Sequence, residues 1–362
     1  MSLRRAHAAS RCVAMARALG ILRASGCAQP STGDPRNPRL MTSDMPLVLT
    51  AALALREHPF ASLPQSIAHE VLGVRYVHVR TEEGDLYLTE RGWPWLTELL
   101  PENWWCDGQY KKSGTRLRFS TGAVYRVPIA QPRRIDIVVK FSRIGQYLDA
   151  GHLGEVHAQN AGDDPSFLSP FEEIAALDQL RNAPRFSHMI TKRALGVFSP
   201  RERYKDWQLG RIQHHFERHA RRVVEGQTKD DLQRGFELDP NRSYITVFHW
   251  MKGLNLEECV EQGLLDWPSV ESINRRVLDD LGQRGFKVLD HKPNHVIVRF
   301  TRRGTLLKRH GRVVYGLADF ELLQKRDIDD QWHAGSSQRK EPSPLGHQEP
   351  SDVKEENELT AT

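Results

Sequence analysis

The chain has 362 residues, 39% of them apolar, and a formal charge of +5, enough for a sizeable core in two domains or in one with appendages. Seven arginines against one aspartate put +6 into residues 1–40, so the remainder carries −1, and bulk charge gives no case for nucleic-acid binding. No run approaches the roughly 18 apolar residues of a membrane span, and the scattered Cys12, Cys27, Cys106 and Cys259 argue against a disulfide framework or zinc ribbon and suit a reducing, cytoplasmic compartment.

In chain order, residues 1–45 read as a leader with no folded element. Their Arg-rich, acid-poor make-up fits a transit peptide. Ala24-Ser25-Gly26-Cys27 loosely fits a lipoprotein cleavage site, though Arg17 and Arg23 interrupt the apolar stretch. The favoured reading is an upstream start assignment, with Met41 or Met45 as the true start.

Residues 46–105 read as a small helix–hairpin–helix appendage. Leu47–Leu55 is a short apolar helix, Tyr76–Arg80 alternates like a strand, Glu82-Glu83-Gly84-Asp85 turns, and Leu86–Leu88 pairs back. Thr89-Glu90-Arg91-Gly92 then leads into a helix through Leu100. Strand, Leu-Thr-Glu-Arg-Gly, then an apolar helix is similar to the end of winged-helix DNA-binding domains. Yet Arg80 and Arg91 are the only basic residues from Val77 to Leu100, against five acids, and a DNA-facing surface needs phosphate-neutralising charge. Trp93, Trp95, Trp104 and Trp105 are read instead as burying against the neighbouring domain.

Residues 106–145 are β-rich, with strands expected at Thr115–Phe119, Ala123–Val127 and Ile135–Phe141, the last an apolar run that ends with Lys140. Ser169-Pro170-Phe171-Glu172 opens a helix. Ser169 caps it, Pro170 takes the first position, and Glu172 completes a capping box. Ile174, Leu177 and Leu180 follow at helical spacing, and occupation of Glu172 at the cap leaves Glu173 to face elsewhere. Met189–Val197 reads as one strand. Arg201–Arg222 carries seven Lys or Arg against three acids, with His214, His215 and His219 interleaved. His215 and His219 are spaced as a metal pair, but Phe216 stands where a zinc protease needs Glu. The stretch is read as a solvated basic helix, with contact to an anionic substrate as a lesser reading. Tyr244–Met251 is an apolar strand leading to Lys252-Gly253. Asn255 caps a helix with Glu258 three residues on, and Pro268–Leu281 is an amphipathic helix ended by Gly282.

The chemistry concentrates after that helix. Val296, Ile297 and Val298 are β-branched and apolar and suit a buried strand, and Val313–Ala318 returns beside it after the basic loop Thr301–Arg312. Antiparallel pairing brings Asp290, just before one arm, and Asp319, just after the other, to the same end. Two acids there with Lys292 close by suit a phosphate–metal site.

These residues resemble the catalytic segment of the protein-kinase-like superfamily, which runs Asp, then Lys-Pro, then a metal-binding Asn five residues after the Asp, with a later Asp-Phe-Gly. Asp290, Lys292, Pro293, Asp319 and Phe320 match. His295 stands at the Asn position, Glu321 at the Gly, and Val288-Leu289 at the usual His-Arg. A His five residues after the Asp is also similar to the lipopolysaccharide core kinases of bacteria.

The resemblance implies an α+β, protein-kinase-like two-lobe fold. Residues 106–250 would be an antiparallel N-lobe with a basic helical insertion at 201–241, and residues 251–330 a reduced helical C-lobe with the catalytic hairpin. Residues 46–105 would be a small N-terminal α/β appendage, and the polar stretch 331–362 a disordered tail. The implied chemistry is phosphoryl transfer from ATP with Mg²⁺, or Mn²⁺ given an imidazole ligand, to a hydroxyl of an unknown acceptor. A lipid, sugar or small molecule, anionic in one reading, is favoured over protein. Asp290 would orient or deprotonate the hydroxyl, Lys292 would neutralise the moving phosphoryl group, and Asp319 and His295 would ligate metal. Lys140, fixed by Glu173, would hold the α and β phosphates. Gly122, in the glycine-poor loop Ser120–Ala123, would cover them, and adenine would meet backbone near His249–Met251. The alternative is a pseudokinase that holds nucleotide, or nothing, as a scaffold. A lesser alternative is a DNA-binding regulator through residues 46–105.

Overall fold

Apolar runs become strands, and most of them join one sheet. The structure, a computed structural model, describes residues 47–64, 67–118, 122–148, 166–183, 188–233 and 236–325. The leader and the tail expected at 331–362 lie outside these residues. The described part belongs to one unit that begins at Met45.

The chain opens with β1 (Leu47–Val48), α1 (Leu49–Leu55), β2 (Ala68–Val71), β3 (Val74–Arg80) and β4 (Gly84–Thr89). It continues through α2 (Gln109–Lys112), β5 (Thr115–Arg116), β6 (Val124–Ile129), β7 (Ile135–Phe141) and α3 (Pro170–Asn182). Next come β8 (Met189–Thr191), β9 (Ala194–Pro200), α4 (Gln213–Glu225), α5 (Lys229–Gln233) and β10 (Ile245–His249). The remainder is β11 (Leu254–Asn255), α6 (Leu256–Glu261), α7 (Trp267–Gly282), β12 (Phe286–Val288) and β13 (Val296–Val298), then β14 (Lys308–Arg309), β15 (Arg312–Val313), β16 (Tyr315–Leu317) and β17 (Leu323–Lys325). The fold is α+β.

Nine strands form the main sheet in the order β1-β3-β4-β9-β10-β7-β6-β5, with β2 beside β3. All pairs are antiparallel except β1 with β3. Strand β9 is buried at every position, as a central strand covered on both faces must be. A second sheet runs β11-β13-β16-β8, and β12 pairs with β17. The expected hairpin is present: Val296, Ile297 and Val298 pair antiparallel with Leu317, Gly316 and Tyr315.

Local signals translate directly. Ser169 Oγ accepts from the Glu172 amide at 3.2 Å while the Glu172 carboxylate accepts from the Ser169 amide at 2.8 Å. Asn255 and Glu258 close the same box at 2.8 and 2.9 Å. On α7 the apolar face buries Val270, Ile273, Val277 and Leu281. Asp280 is buried beside them, accepting from Tyr315 Oη at 2.7 Å and lying 2.7 Å from His188 Nε2.

Several expectations change. Residues 46–105 are no separate appendage, because β4 pairs with β9 from Gly84–Pro200 to Leu88–Gly196 and so extends the main sheet. Trp93 and Trp104 lie in that sheet's core with Phe198 and Ile245, buried against the rest of the chain as expected. The helix expected through Leu100 is a 3₁₀ turn at Trp93–Trp95 followed by turns. Trp93, Leu96 and Leu99 are all buried at three-residue spacing, which suits a 3₁₀ rather than an α repeat. The single strand expected at Met189–Val197 is two strands in different sheets, broken at Lys192-Arg193. The strand at Thr115–Phe119 shortens to Thr115–Arg116.

Candidate active site

The site lies where the two sheets meet. Strand β7 carries Lys140 outward from the main sheet, with the Lys140 side chain only 7% exposed. Helix α3 brings Glu173, the residue after its capping box, to 3.3 Å from Lys140 Nζ. The turn after β16 brings Asp319, whose Oδ1 accepts from Lys140 Nζ at 2.7 Å. Three separate elements therefore converge on one ammonium group.

Two cations and one acid that sequence reading missed complete the cluster. Lys192, at the corner between β8 and β9, donates to Glu173 Oε1 at 2.8 Å and sits 3.7 Å over the Phe248 ring. Glu321 lies 3.4 Å from Lys140 and accepts from Arg143 Nε and Nη2 at 3.2 and 3.1 Å. Three carboxylates, Glu173, Asp319 and Glu321, thus face three cations, Lys140, Lys192 and Arg143, in a balanced network in which Asp319 and Arg143 are half-buried and the others buried. The available signal for Lys192 was a pair of cations inside an apolar run.

Burial disfavours every charge here, and the partners decide the direction. Burial alone would lower Lys140, but Asp319, Glu173 and Glu321 outweigh it and hold its pKa above the ordinary lysine value. Burial would raise Asp319, yet Lys140, then His295 and Lys192, hold it well below the carboxylate range. Glu173 is likewise held low against burial by Lys140 and Lys192. Lys192 is pushed down by burial, which Glu173 does not fully offset. Glu321 is pushed up, because burial outweighs the pull of Lys140 and the neighbouring Asp319 adds to it.

The expected catalytic-loop residues stand close by. Asp290 Oδ1 accepts from Lys292 Nζ at 2.7 Å, and Asp290 shares a small cavity with Asp319, Glu321 and Arg143. His295 ends a 3₁₀ turn at Pro293–His295, with Nε2 3.9 Å from Asp319 Oδ2 and a buried Nδ1 that has no hydrogen-bond partner among the described residues. Among the described residues no cluster of three or more His, Cys, Asp or Glu could hold a metal. Asp319 and His295 therefore cannot cage an ion by themselves. The Asp319 carboxylate suits a hard cation that brings phosphate and water as its other ligands, whereas the His295 imidazole suits a softer one better.

A cleft opens between the sheets, with Lys140, Lys192, His295 and Asp319 at its polar end and Val138, Phe248, Met251 and Ile297 along its apolar wall. His249 and Met251 both line it. The His249 amide donates to Arg193 O and the Trp250 amide to Asp136 O, each at 2.9 Å. Two glycines make room. Gly253 has φ +144°, and a Cβ there would lie 2.4 Å from Val298 O; a Cβ on Gly316 would lie 2.0 Å from Met251 Sδ. Gly122 does not line the cleft. A Cβ built on it would lie 3.9 Å from Arg143 Cδ, and Ser120 and Thr121 of the expected loop lie outside the described residues.

The His215/His219 metal pair is not formed. His219 Nδ1 sits 2.7 Å from Glu172 Oε2 and its Nε2 2.7 Å from Ser166 Oγ, so both ring nitrogens serve packing of α4 on α3 and the segment before it. The basic helix is amphipathic, with His215, Phe216, His219 and Val223 buried.

No family model matches the chain, and no curated protein matches it. Among solved structures, a co-crystal structure of WbdD and the kinase inhibitor LY294002 is similar at 14% identity and a TM-score of 0.25, over 58% of this chain and 35% of that one. The chain thus spans about a third of that protein's length, and a likeness this slight carries no argument here.

Proposed function

We propose that the protein is an ATP-dependent phosphotransferase of protein-kinase-like, two-lobe architecture, acting on a hydroxyl. The observation that carries the reading is Lys140 held between Glu173 and Asp319, from three separate elements, at the head of an apolar-walled cleft. That ammonium is the group to meet the α and β phosphates, with Glu173 fixing its direction. The base lies against Val138, Phe248 and Ile297. With the His249 and Trp250 amides already bonded, Met251 is the backbone group to meet its edge. Asp290 orients the acceptor hydroxyl and takes its proton, and Lys292, 2.7 Å from it, neutralises charge on the moving phosphoryl group. Asp319 and His295 hold Mg²⁺ or Mn²⁺, which supplies charge neutralisation for the triphosphate when bound.

One observation favours the second reading, a nucleotide-binding or scaffold module. Lys140 is closer to Asp319 than to Glu173, so its phosphate-binding amine is tied to a metal-ligand carboxylate. Labelled ATP with Mg²⁺ or Mn²⁺ separates the two. The enzyme reading expects phosphate release or autophosphorylation, lost by at least about a hundredfold in Asp319→Asn as the charge-stabilising ligand goes. Bound nucleotide with no turnover in either protein establishes the scaffold.

A further inference from the structure

We propose that Arg143 is a second phosphate-binding cation of this site, and that Glu321 is the resident anion that holds Arg143 and Lys140 until phosphate takes its place. The inference rests on the nucleotide reading above and assigns roles to two residues that the reading leaves without one.

Glu321 is buried, and its two oxygens are divided between two cations. Oε1 lies 3.4 Å from Lys140 Nζ, while Oε2 accepts from Arg143 Nε at 3.2 Å and Nη2 at 3.1 Å. A carboxylate bridging an ammonium and a guanidinium occupies the place two phosphate oxygens would take, since both anions suit the guanidinium fork. The position of Arg143 is fixed independently of Glu321. Its guanidinium lies 3.7 Å from the Phe167 ring centroid. A Cβ built on Gly122, in the loop between β5 and β6, would lie 3.9 Å from Arg143 Cδ. Arg143 also lines the small cavity shared by Asp290 and Asp319. A cation there lies between the loop expected over the phosphates and the acid expected at the acceptor.

The Glu321 backbone is also anchored without its side chain, since its carbonyl accepts from the Leu168 amide at 3.1 Å. A neutral side chain at 321 therefore leaves the local chain path intact while removing the one anion that both cations share. The two roles predict opposite signs. Removing the resident anion tightens phosphate binding, and removing the cation weakens it.

The test is calorimetric titration of the full chain, its Glu321→Gln and its Arg143→Gln variants with Mg·ATP, with tripolyphosphate and with adenosine. Glu321→Gln is expected to bind Mg·ATP and tripolyphosphate several-fold more tightly, and Arg143→Gln about tenfold more weakly, the worth of one charge-assisted contact. Adenosine, which has no phosphate, should bind all three alike and reports that the variants are folded. Wild type that binds Mg·ATP while Glu321→Gln binds it equally or more weakly overturns this inference alone. Wild type that binds neither ATP nor tripolyphosphate overturns the nucleotide reading and this inference with it.

Discussion

Asp319 divides its two oxygens between different tasks. Oδ1 is bonded to Lys140, and Oδ2 faces His295 at 3.9 Å. An imidazole at that point is a softer partner for Mg²⁺ than an amide oxygen. In His295→Asn the ratio of Mg²⁺-supported to Mn²⁺-supported turnover should rise several-fold; steady-state rates in each metal give the ratio, and an unchanged value would remove His295 from the ligand set. Residue-level legibility was uneven for a physical reason. Glu173 could be singled out because Glu172 is consumed by a local capping box, and the box formed as its spacing demands. Lys192 and Arg143 could not. Each acquires its role from partners brought by distant elements, Glu173 and Phe248 for the one, Glu321 and Phe167 for the other.

At the scale of elements, the hairpin β3–β4 shows what local pattern leaves open. Its two strands and turn follow from alternation and Gly84, but the edge that β4 offers is filled by β9, far along the chain. Sequence spacing carries no sign of such a partner, so an integral part of the sheet reads as an appendage. Strand β7, both capping boxes and the β13–β16 pair were legible because each depends on near neighbours or on one short return. The join has an energetic consequence. Trp104 is fully buried against Phe198, with ring centroids 5.4 Å apart, and its Nε1 donates to Leu99 O at 3.0 Å. Trp104→Ala should cost about 3–5 kcal/mol. Urea unfolding followed by circular dichroism should still show one transition, at lower denaturant; a separate early transition for residues 46–105 would restore the appendage.

At the scale of the molecule, the ion network links stability to acid. Asp319 and Glu173 lie below their ordinary values of 3.8 and 4.5 in the folded protein. A carboxyl depressed by folding contributes stability above its unfolded pKa, and that contribution is lost as pH falls through the folded value. Melting temperature should therefore drop steeply below about pH 4.5, and the drop should be shallower in Asp319→Asn; parallel acid limbs for the two proteins would contradict the assignment. The chain passes between the sheets at Lys192-Arg193 and again just after His249, and the His249 amide is bonded to Arg193 O at 2.9 Å. A third crossing, between β7 and β8, carries α3. The row of charges starts with Lys192 over Phe248 and continues through Glu173, Lys140 and Glu321 to Arg143. The row therefore ties β7, α3, the β8–β9 corner and the segment after β16 to one another, so a charge lost at any of them is felt by strands of both sheets.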